Sequence, residues 1–323
     1  MSVSTVSHVV NGTRFVSDLL RSKVMSAMEC LGYQPNRIAR SLRSKSSNSI
    51  GLIVSDITNP FFSEIAWSIE YLSYNQNYSV MLCNSDGDAA KEEFYIRRFL
   101  EWQVDGIILV SSSIPASHLG TFSNLARPIT LVDMECPGYD MDSVTVDNFS
   151  GGKQATEHLI ALGHKRIACI VGASNTRYDN GRVNGYRAAL DAAGLEADED
   201  LIIEADFNII SGMNVAHPLL QMENRPTAIF ACGDLMAFGV MQSAFINQLK
   251  IPDDLSVVGF DDIYISKYTL PPLTTVRQPI HEMAEEALNC LLEKCDDPSR
   301  TTRTIKLDLK LEIRESTAPL NLH

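Results

Sequence analysis

The chain has 323 residues, of which 45% are hydrophobic and 21% charged, and its formal net charge is −13. This composition is typical of a globular protein, and the length suits two or three compact units. No stretch approaches the ~20 apolar residues of a membrane helix, and the N-terminus lacks the apolar segment of a secretion signal. We therefore expect a cytoplasmic protein without a membrane partner.

The charge is distributed unevenly along the chain. Residues 1–45 carry seven basic and two acidic side chains, a net of +5, so the other residues together carry −18. A basic N-terminal piece on an acidic body predicts an arm that contacts phosphates and a body with another role. The seven cysteines form no C-x-x-C pair and no zinc-type cluster, so we expect reduced thiols and no metal site.

The first predicted element is a short helix over residues 4–11, S-T-V-S-H-V-V-N, which ends before Gly12. Small polar residues at a helix N-terminus can approach base edges and phosphates, which is typical of the second helix of a helix-turn-helix. The first helix of that motif is not in the sequence. A second helix is predicted over Asp18–Leu31. Its apolar residues recur at helical spacing and predict a small core: Leu19, Leu20, Val24, Ala27, Met28 and Leu31.

The next segment, Y-Q-P-N-R-I-A-R-S-L-R, predicts a short basic helix that begins near Pro35. Arg37, Arg40 and Arg43 make one charged face, and Leu42 is suited to act as a wedge between base steps in a minor groove. A solvated linker helix is the alternative. Residues 44–49 have the composition of a linker.

After residue 48, strand-like and helix-like segments alternate. This alternation predicts an α/β protein with two tandem open parallel-sheet lobes, preceded by a partial helix-turn-helix and a hinge helix. The strands are predicted at Ile50–Val54, Ser79–Cys83, Gly106–Val110, Ile129–Val132, Val144–Val146, Ile167–Val171, Leu201–Glu204, Ala228–Ala231, Ser256–Gly259 and Thr304–Ile313. The helices between and after them are predicted at Phe61–Gln76, Lys91–Gln103, Ser117–Leu125, Gly151–Leu162, Gly181–Ala193, Ser211–Met222, Leu235–Gln248 and Ile280–Leu292.

Polar side chains follow most of the predicted strands. Because ligands of open α/β sheets bind beyond the carboxyl ends of the strands, two facing lobes predict a small-molecule cleft. The residues at these ends are rich in carboxylates and amides and almost free of lysine, as in 84–86, 206–208 and 261–262. Such a lining favours an uncharged ligand with many hydroxyl groups over a phosphorylated one.

Several motifs together identify a family resemblance that extends from residue 2 to residue 317. They include T-V-S-H-V-V-N, L-G-Y-Q-P-N-R-I-A-R-S-L-R, I-G-L-I-V-S-D-I-T-N-P-F-F, G-H-K-R-I-A, G-R-V-N-G-Y, A-C-G-D-L-M-A-F-G, V-V-G-F-D-D and P-P-L-T-T-V. The chain resembles the lactose-repressor (LacI/GalR) family of transcription regulators, in its ribose/purine-repressor-like branch. The resemblance implies a core similar to periplasmic sugar-binding proteins.

The resemblance also implies functional positions. Aromatic residues of T-N-P-F-F would stack on a sugar, Arg182 would bond its hydroxyls, Asp234 would accept hydroxyl protons, and Gln278 would contact the ligand from the hinge. The alternatives are core aromatics and a structural ion pair. The ligand-binding set is Asn59, Phe61, Phe62, Asp86, Asp133, Arg182, Asn208, Asp234 and Gln278. The DNA-binding set is Ser4, Thr5, His8, Arg14, Asn36, Arg40, Leu42 and Arg43.

Three domains are expected. Residues 1–47 form the partial DNA-binding domain and hinge helix, residues 48–147 and 279–306 the N-terminal lobe, and residues 148–278 and 307–323 the C-terminal lobe. Members of the family begin with a helix of the type T-I-x-D-V-A followed by A-G-V-S, and here Met1 stands in the place of the valine of that last V-S. Either the translation start was placed at an internal valine codon, or the protein truly lacks this first helix. In both cases we expect impaired binding of operator DNA.

The sequence therefore predicts a ligand-responsive transcription regulator, a probable repressor, that senses a pentose or hexose and binds DNA as a homodimer. The dimer face is expected near Phe61–Asn75 and Lys91–Trp102, with Ile280–Leu292 close by. The alternative is a truncated regulator or sugar-binding protein that dimerises without binding DNA. No phosphate loop, H-E-x-x-H or nucleophile elbow occurs, so neither an enzyme nor a cofactor is expected.

Overall fold

The structure, a computed structural model, divides into two compact units, Met1–Asn48 and Ser49–His323. The residues that it describes are 2, 5–6, 8–9, 14–32, 46–111, 114–119, 122, 127–134, 138–172 and 177–320.

The N-terminal unit contains a short helix and a longer one. Residues 5–6 and 8–9 are helical, and the turn begins at Ser2, whose carbonyl accepts from Thr5 N at 3.1 Å. Helix α1 spans Asp18–Cys30. Of the core predicted on this helix, Val24 is buried and Met28 half-buried. The other four residues are exposed, contrary to the prediction: Leu19, Leu20, Ala27 and Leu31.

The larger unit alternates strands and helices along the chain. Its strands are β1 Ser49–Val54, β2 Ser79–Asn84, β3 Gly106–Val110, β4 Ile129–Val132, β5 Asp142–Val146, β6 Ile167–Gly172, β7 Ile202–Ala205, β8 Ala228–Ala231, β9 Ser256–Asp261, β10 Thr274–Arg277, β11 Thr304–Leu307 and β12 Lys310–Glu312. Its helices are α2 Pro60–Asn75, α3 Ala89–Glu101, α4 Ala116–Leu119, α5 Asn148–Ala161, α6 Arg177–Ala192, α7 Ile209–Leu220, α8 Asp234–Ile246 and α9 Ile280–Asp296. Short 3-10 turns occupy Glu199–Leu201 and Tyr264–Tyr268.

The strands form two six-stranded sheets, in the orders β11-β5-β4-β3-β1-β2 and β12-β10-β9-β8-β6-β7. The predicted fold class, α/β with two tandem open sheets, is confirmed. The first sheet is parallel, and in the second only the edge strand β12 runs antiparallel, to β10. We call the sheet that contains β1, with the helices packed on it, the first lobe. The sheet that contains β6, with its helices, is the second lobe. In the described part of the chain, no helix is both long and apolar enough to cross a lipid bilayer.

The single strand predicted over Thr304–Ile313 is two strands, one in each sheet. Thr304–Leu307 pairs with β5 and Lys310–Glu312 pairs with β10. Alternation of apolar and polar residues continues across the break, so the pattern did not reveal it. The chain thus passes between the lobes after β5, after β10 and between β11 and β12.

Close backbone packing joins the helices of the second lobe in pairs. A Cβ on Gly152 of α5 would lie 2.0 Å from the carbonyl oxygen of Arg182 in α6, and one on Gly185 would lie 2.1 Å from the carbonyl oxygen of Phe149. Since real Cβ atoms do not approach oxygen so closely, glycine is required at both positions. The motifs G-G and G-R-V-N-G therefore place α6 directly against α5.

Gly152→Ala tests this packing. The added methyl group must push α6 away from α5, so the free energy of unfolding should fall by about 1–3 kcal/mol. Urea denaturation followed by circular dichroism measures the change. Lys153→Ala, at the next position of α5 and partly exposed, is the control and should alter stability little. Equal stability of Gly152→Ala and the parent would contradict the assignment.

Candidate ligand site between the two lobes

Several residues near the carboxyl ends of strands have strained backbone conformations. Five residues at the last position of a strand or within two residues after it have positive φ angles although none is glycine. They are Asp86 (55°), Ser111 (51°), Asp133 (57°), Asp261 (114°) and Asp262 (56°). Few residues other than glycine adopt this conformation, and such outliers cluster at functional sites. The carboxyl edges of both sheets therefore stand out as the candidate site.

Arg182 is the buried cation of the second lobe, with 3% of its surface exposed. Helix α6 carries it toward the end of β8, and its Nε donates to Asn148 Oδ1 at 2.8 Å while Nη1 donates to the carbonyl oxygen of Cys232 at 2.5 Å. The guanidinium carbon lies 3.7 Å from the ring centroid of Phe260. A guanidinium that stacks on an aromatic ring and donates through both Nε and Nη1 is held in a fixed position.

Asp261 faces this cation. Its Oδ1 lies 3.9 Å from Arg182 Nη1 and accepts from Gln278 Nε2 at 2.7 Å. Burial raises the pKa of Asp261 to about 7, the charge of Arg182 lowers it, and the charge of Asp133 raises it further. Because Asp133 follows β4, carboxylates from both lobes influence one another in the cleft.

Asp133 belongs to the first lobe and is buried. Its Oδ2 accepts from Ser111 Oγ at 2.9 Å, so the two strained residues after β3 and β4 support each other. Together with Arg182 and Asp261, Asp133 gives the cleft two carboxylates against one guanidinium. That balance disfavours anionic ligands and suits hydroxyl groups, which donate to carboxylates and accept from arginine.

Protein donors bind the carboxyl group of Asp234, the residue that the family resemblance assigns to ligand hydroxyls. Oδ2 of Asp234 accepts from Ile263 N at 2.9 Å and from Ser266 Oγ at 2.5 Å, and Oδ1 accepts from Thr275 Oγ1 at 2.5 Å. The side chain is fully buried, and its burial, then the charge of Asp261, raises its pKa well above the usual range. Because protein donors occupy both oxygens, this carboxyl anchors the segment after β9 instead of facing a ligand.

The predicted aromatic pair divides into two roles. Phe61 is buried in the core, whereas Phe62 is half-buried, and their rings make an edge contact with centroids 5.1 Å apart. Asn59 caps α2, because its Oδ1 accepts from Phe61 N at 3.1 Å. Phe62 is therefore the aromatic of this segment that keeps surface for a ligand.

Asp86 lies exposed at the end of the edge strand β2. Its carboxylate is held by Lys91 and by Asn84, so it does not join the buried charges. Asn208 caps α7 through Oδ1, which accepts from Ser211 N at 2.8 Å. Gln278 is buried and bonds Asp261, which makes it a support for that carboxylate.

The predicted ligand-binding set omitted two residues at or just after strand ends, Asp261 and Phe207. Asp261 was one of several acidic residues after strands, and only its backbone conformation and its arginine partner distinguish it. Phe207, between β7 and α7, is partly buried, and its ring lies 3.1 Å from where a Cβ on Gly233 would stand. The missing side chain at Gly233 is the signal, since it leaves room for an aromatic ring.

The predicted DNA-binding residues are described only in part. Thr5 and His8 lie in the short N-terminal helix, where Thr5 Oγ1 and Ser2 Oγ are 2.9 Å apart, and Arg14 is exposed. The remaining members of that set lie outside the described residues: Ser4, Asn36, Arg40, Leu42 and Arg43. In the described portion, no group of three or more histidine, cysteine or acidic side chains is arranged to hold a metal ion.

Comparison with known proteins finds two families along the chain. Bacterial regulatory proteins of the lacI family match residues 1–36, and the periplasmic binding protein-like domain matches residues 156–317. The HTH-type transcriptional regulator DegA of Bacillus subtilis (strain 168) is 39% identical over 324 residues, which cover 99% of this chain and 96% of DegA.

Solved structures share the fold. The lac repressor dimer bound to operator and the anti-inducer ONPF has a TM-score of 0.89 and 27% identity, and the match covers 98% of this chain and 96% of that one. A LacI family transcriptional regulator from Enterococcus faecium with bound ribose has a TM-score of 0.77 and 32% identity, with coverage of 84% and 100%.

Asp261→Asn tests the electrostatics of the cleft in the free protein. Because its pKa is about 7 in the folded state and 3.8 ordinarily, ionised Asp261 destabilises the fold as pH rises through 7. The variant should melt at a higher temperature than the parent at pH 8, and the gain should fade at pH 5. Differential scanning fluorimetry measures both values.

Asp262→Asn is the matched control at the next residue. The Asp262 carboxylate accepts from Arg277 Nε at 2.7 Å and Arg314 Nη2 at 2.5 Å, so its loss should lower the melting temperature at both pH values. If Asp261→Asn melted below the parent at pH 8, the unfavourable charge at Asp261 would be refuted.

Proposed function

The chain belongs to the lacI family of bacterial regulatory proteins, and we propose that it senses an uncharged sugar in the cleft between its lobes. It is a DNA-binding regulator of transcription and not an enzyme, as its relatives are. The observation that carries the sugar proposal is the buried guanidinium of Arg182 opposite the carboxylates of Asp261 and Asp133. The ribose bound to the related regulator of Enterococcus faecium supports a ligand of this class.

The proposed contacts divide by chemistry. Arg182 donates to ligand oxygens, Asp261 and Asp133 accept hydroxyl protons, and Phe62 and Phe207 cover the apolar faces of the ring. Asn208 Nδ2 adds a donor, because its Oδ1 is already bound within the helix cap. Asn59, Phe61, Asp234 and Gln278 hold these groups in place, and Asp86 lies at the margin. A pentose or a hexose matches this alternation of donors, acceptors and ring faces.

The proposed mechanism couples this cleft to DNA through lobe closure. A ligand that binds both lobes favours the closed arrangement by as much as its affinity for the two arrangements differs. DNA contacts are proposed for Thr5, His8 and Arg14, and for the residues of the hinge motif. Operator binding by a regulator with two-fold symmetry needs two copies of this chain, so we propose a homodimer that acts in the cytoplasm.

A thermal-shift screen of pentoses, hexoses and purines tests the sugar proposal, because a ligand that binds the folded state raises the melting temperature. Arg182→Ala should then weaken binding of the stabilising sugar by about 100-fold, since truncation leaves buried carboxylates without a partner. Arg187→Ala is the control. This arginine lies on the same helix in a surface ion pair with Glu199 and should leave sugar binding unchanged.

Stabilisation by purines and by none of the sugars would overturn the ligand class. A sugar that bound Arg182→Ala like the parent would place its site elsewhere. Gel-shift titration of the parent with operator-containing DNA, with and without the sugar, tests the coupling. If the sugar did not change the affinity for DNA, the protein would bind a ligand but the proposed coupling between ligand and DNA would be refuted.

The dimer face has its own prediction. Trp67 and Tyr71 of α2 are exposed, and their rings stack with centroids 5.6 Å apart and an interplanar angle of 13°. Large exposed apolar patches are typical of interfaces. Trp67→Glu should shift the sedimentation coefficient at micromolar concentration from dimer to monomer, whereas Met222→Glu, at an exposed apolar residue of the second lobe, should not. A monomeric parent would contradict the proposal.

A further inference from the structure

A hydrogen bond joins the lobes at a point away from the three chain crossings. Glu64 lies on α2 in the first lobe, and its Oε1 accepts from the backbone N of Tyr264 at 2.9 Å. Tyr264 begins the 3-10 turn after β9 in the second lobe. Glu64 is two residues beyond Phe62, and Tyr264 is three beyond Asp261, so the bond lies beside residues proposed to hold the ligand.

The segment that carries Tyr264 is fixed within its own lobe. Asp234 accepts from Ile263 N and Ser266 Oγ on either side of Tyr264. The carboxylate of Asp262 is held by Arg277 and Arg314. A segment fixed at residues 262, 263 and 266 moves with the second lobe as one piece. A change in the spacing of the lobes must therefore stretch or break the bond from Tyr264 to Glu64.

The acceptor is suited to a strong bond. Glu64 is only partly exposed, and a hydrogen bond to a carboxylate contributes more to stability than one between neutral groups. The charged groups that influence Glu64 are Asp262 and Lys267, both on the segment after β9. Lys267 attracts the Glu64 carboxylate and Asp262 repels it, and the backbone N–H of Tyr264 is the group that bonds it directly.

We propose that Glu64 is a positioning residue that clasps the segment after β9 and sets the resting spacing of the two lobes. Asp261 ends β9 directly before that segment, so the clasp also determines how far its carboxylate stands from Asp133 before a ligand arrives. The consequence for ligand response rests on the proposed function. The clasp itself is tested without a ligand. Failure of the clasp proposal is therefore distinguishable from failure of the proposed sugar-sensing function.

Amide hydrogen exchange tests the bond directly. In protein labelled with 15N-tyrosine and 15N-isoleucine, the Tyr264 amide should exchange about tenfold faster in Glu64→Ala than in the parent. Glu64→Gln keeps a neutral acceptor and should give a smaller increase. The Ile263 amide, bonded to Asp234, should not change. Glu70→Ala, at an exposed glutamate of the same helix, is the control and should leave both amides unaffected.

Lobe spacing is the second readout. Dyes placed by genetic code expansion at the exposed residues Glu101 and Asp191 report it by single-molecule energy transfer, with labelled chains diluted into unlabelled ones. Glu64→Ala should add a population with greater separation, and Glu70→Ala should not. Unchanged exchange at Tyr264, equal acceleration at Ile263, or an unchanged distance distribution in Glu64→Ala would each overturn the proposal.

Discussion

The burial of one guanidinium is the constraint on which the second lobe depends. Removing a charge from water costs several kcal/mol unless partners surround it. Arg182 finds its partners on different elements: Asn148 at the start of α5, the carbonyl of Cys232 after β8, and Phe260 and Asp261 at the end of β9. The close contact of Gly152 with the backbone of Arg182 brings α6 near enough for all of them. The glycine motifs of the sequence are therefore part of the site, although they contact no ligand.

Two carboxyls near Arg182 show how the same residue type divides into different tasks. Asp234 is surrounded by hydroxyl and backbone donors and secures the segment after β9. Asp261, the last residue of β9 before that segment, has a strained backbone. The charges of Arg182 and of Asp133 in the opposite lobe both act on its carboxyl group. The hydrogen bonds to Asp234 fix the segment after β9. They therefore also help to position Asp261 and the Tyr264 N–H that bonds Glu64.

The sequence predicted the layout of the lobes well, because alternating segments of strand and helix leave a period that tertiary packing reinforces. It predicted one strand over Thr304–Ile313 where two sheets share the segment, since local alternation carries no information about partners. Arg182 and Asp234 were predicted as ligand contacts from their motifs, and Asp261 was one of several acidic residues noted near strand ends. The sequence does not show which of the two carboxyls, Asp234 or Asp261, is bound by protein donors. Both follow a strand, and only the positions of Ser266, Thr275 and Gln278, distant in sequence, decide which carboxyl is satisfied within the protein.

A crystal structure of this protein with the sugar that stabilises it most is the direct test of the central claim. The account predicts the sugar between the lobes, with ring oxygens or hydroxyls within hydrogen-bond distance of Arg182 and Asp261 and at least one contact to Asp133. A sugar bound outside the cleft, or one in the cleft that leaves Arg182 and Asp261 untouched, would contradict it.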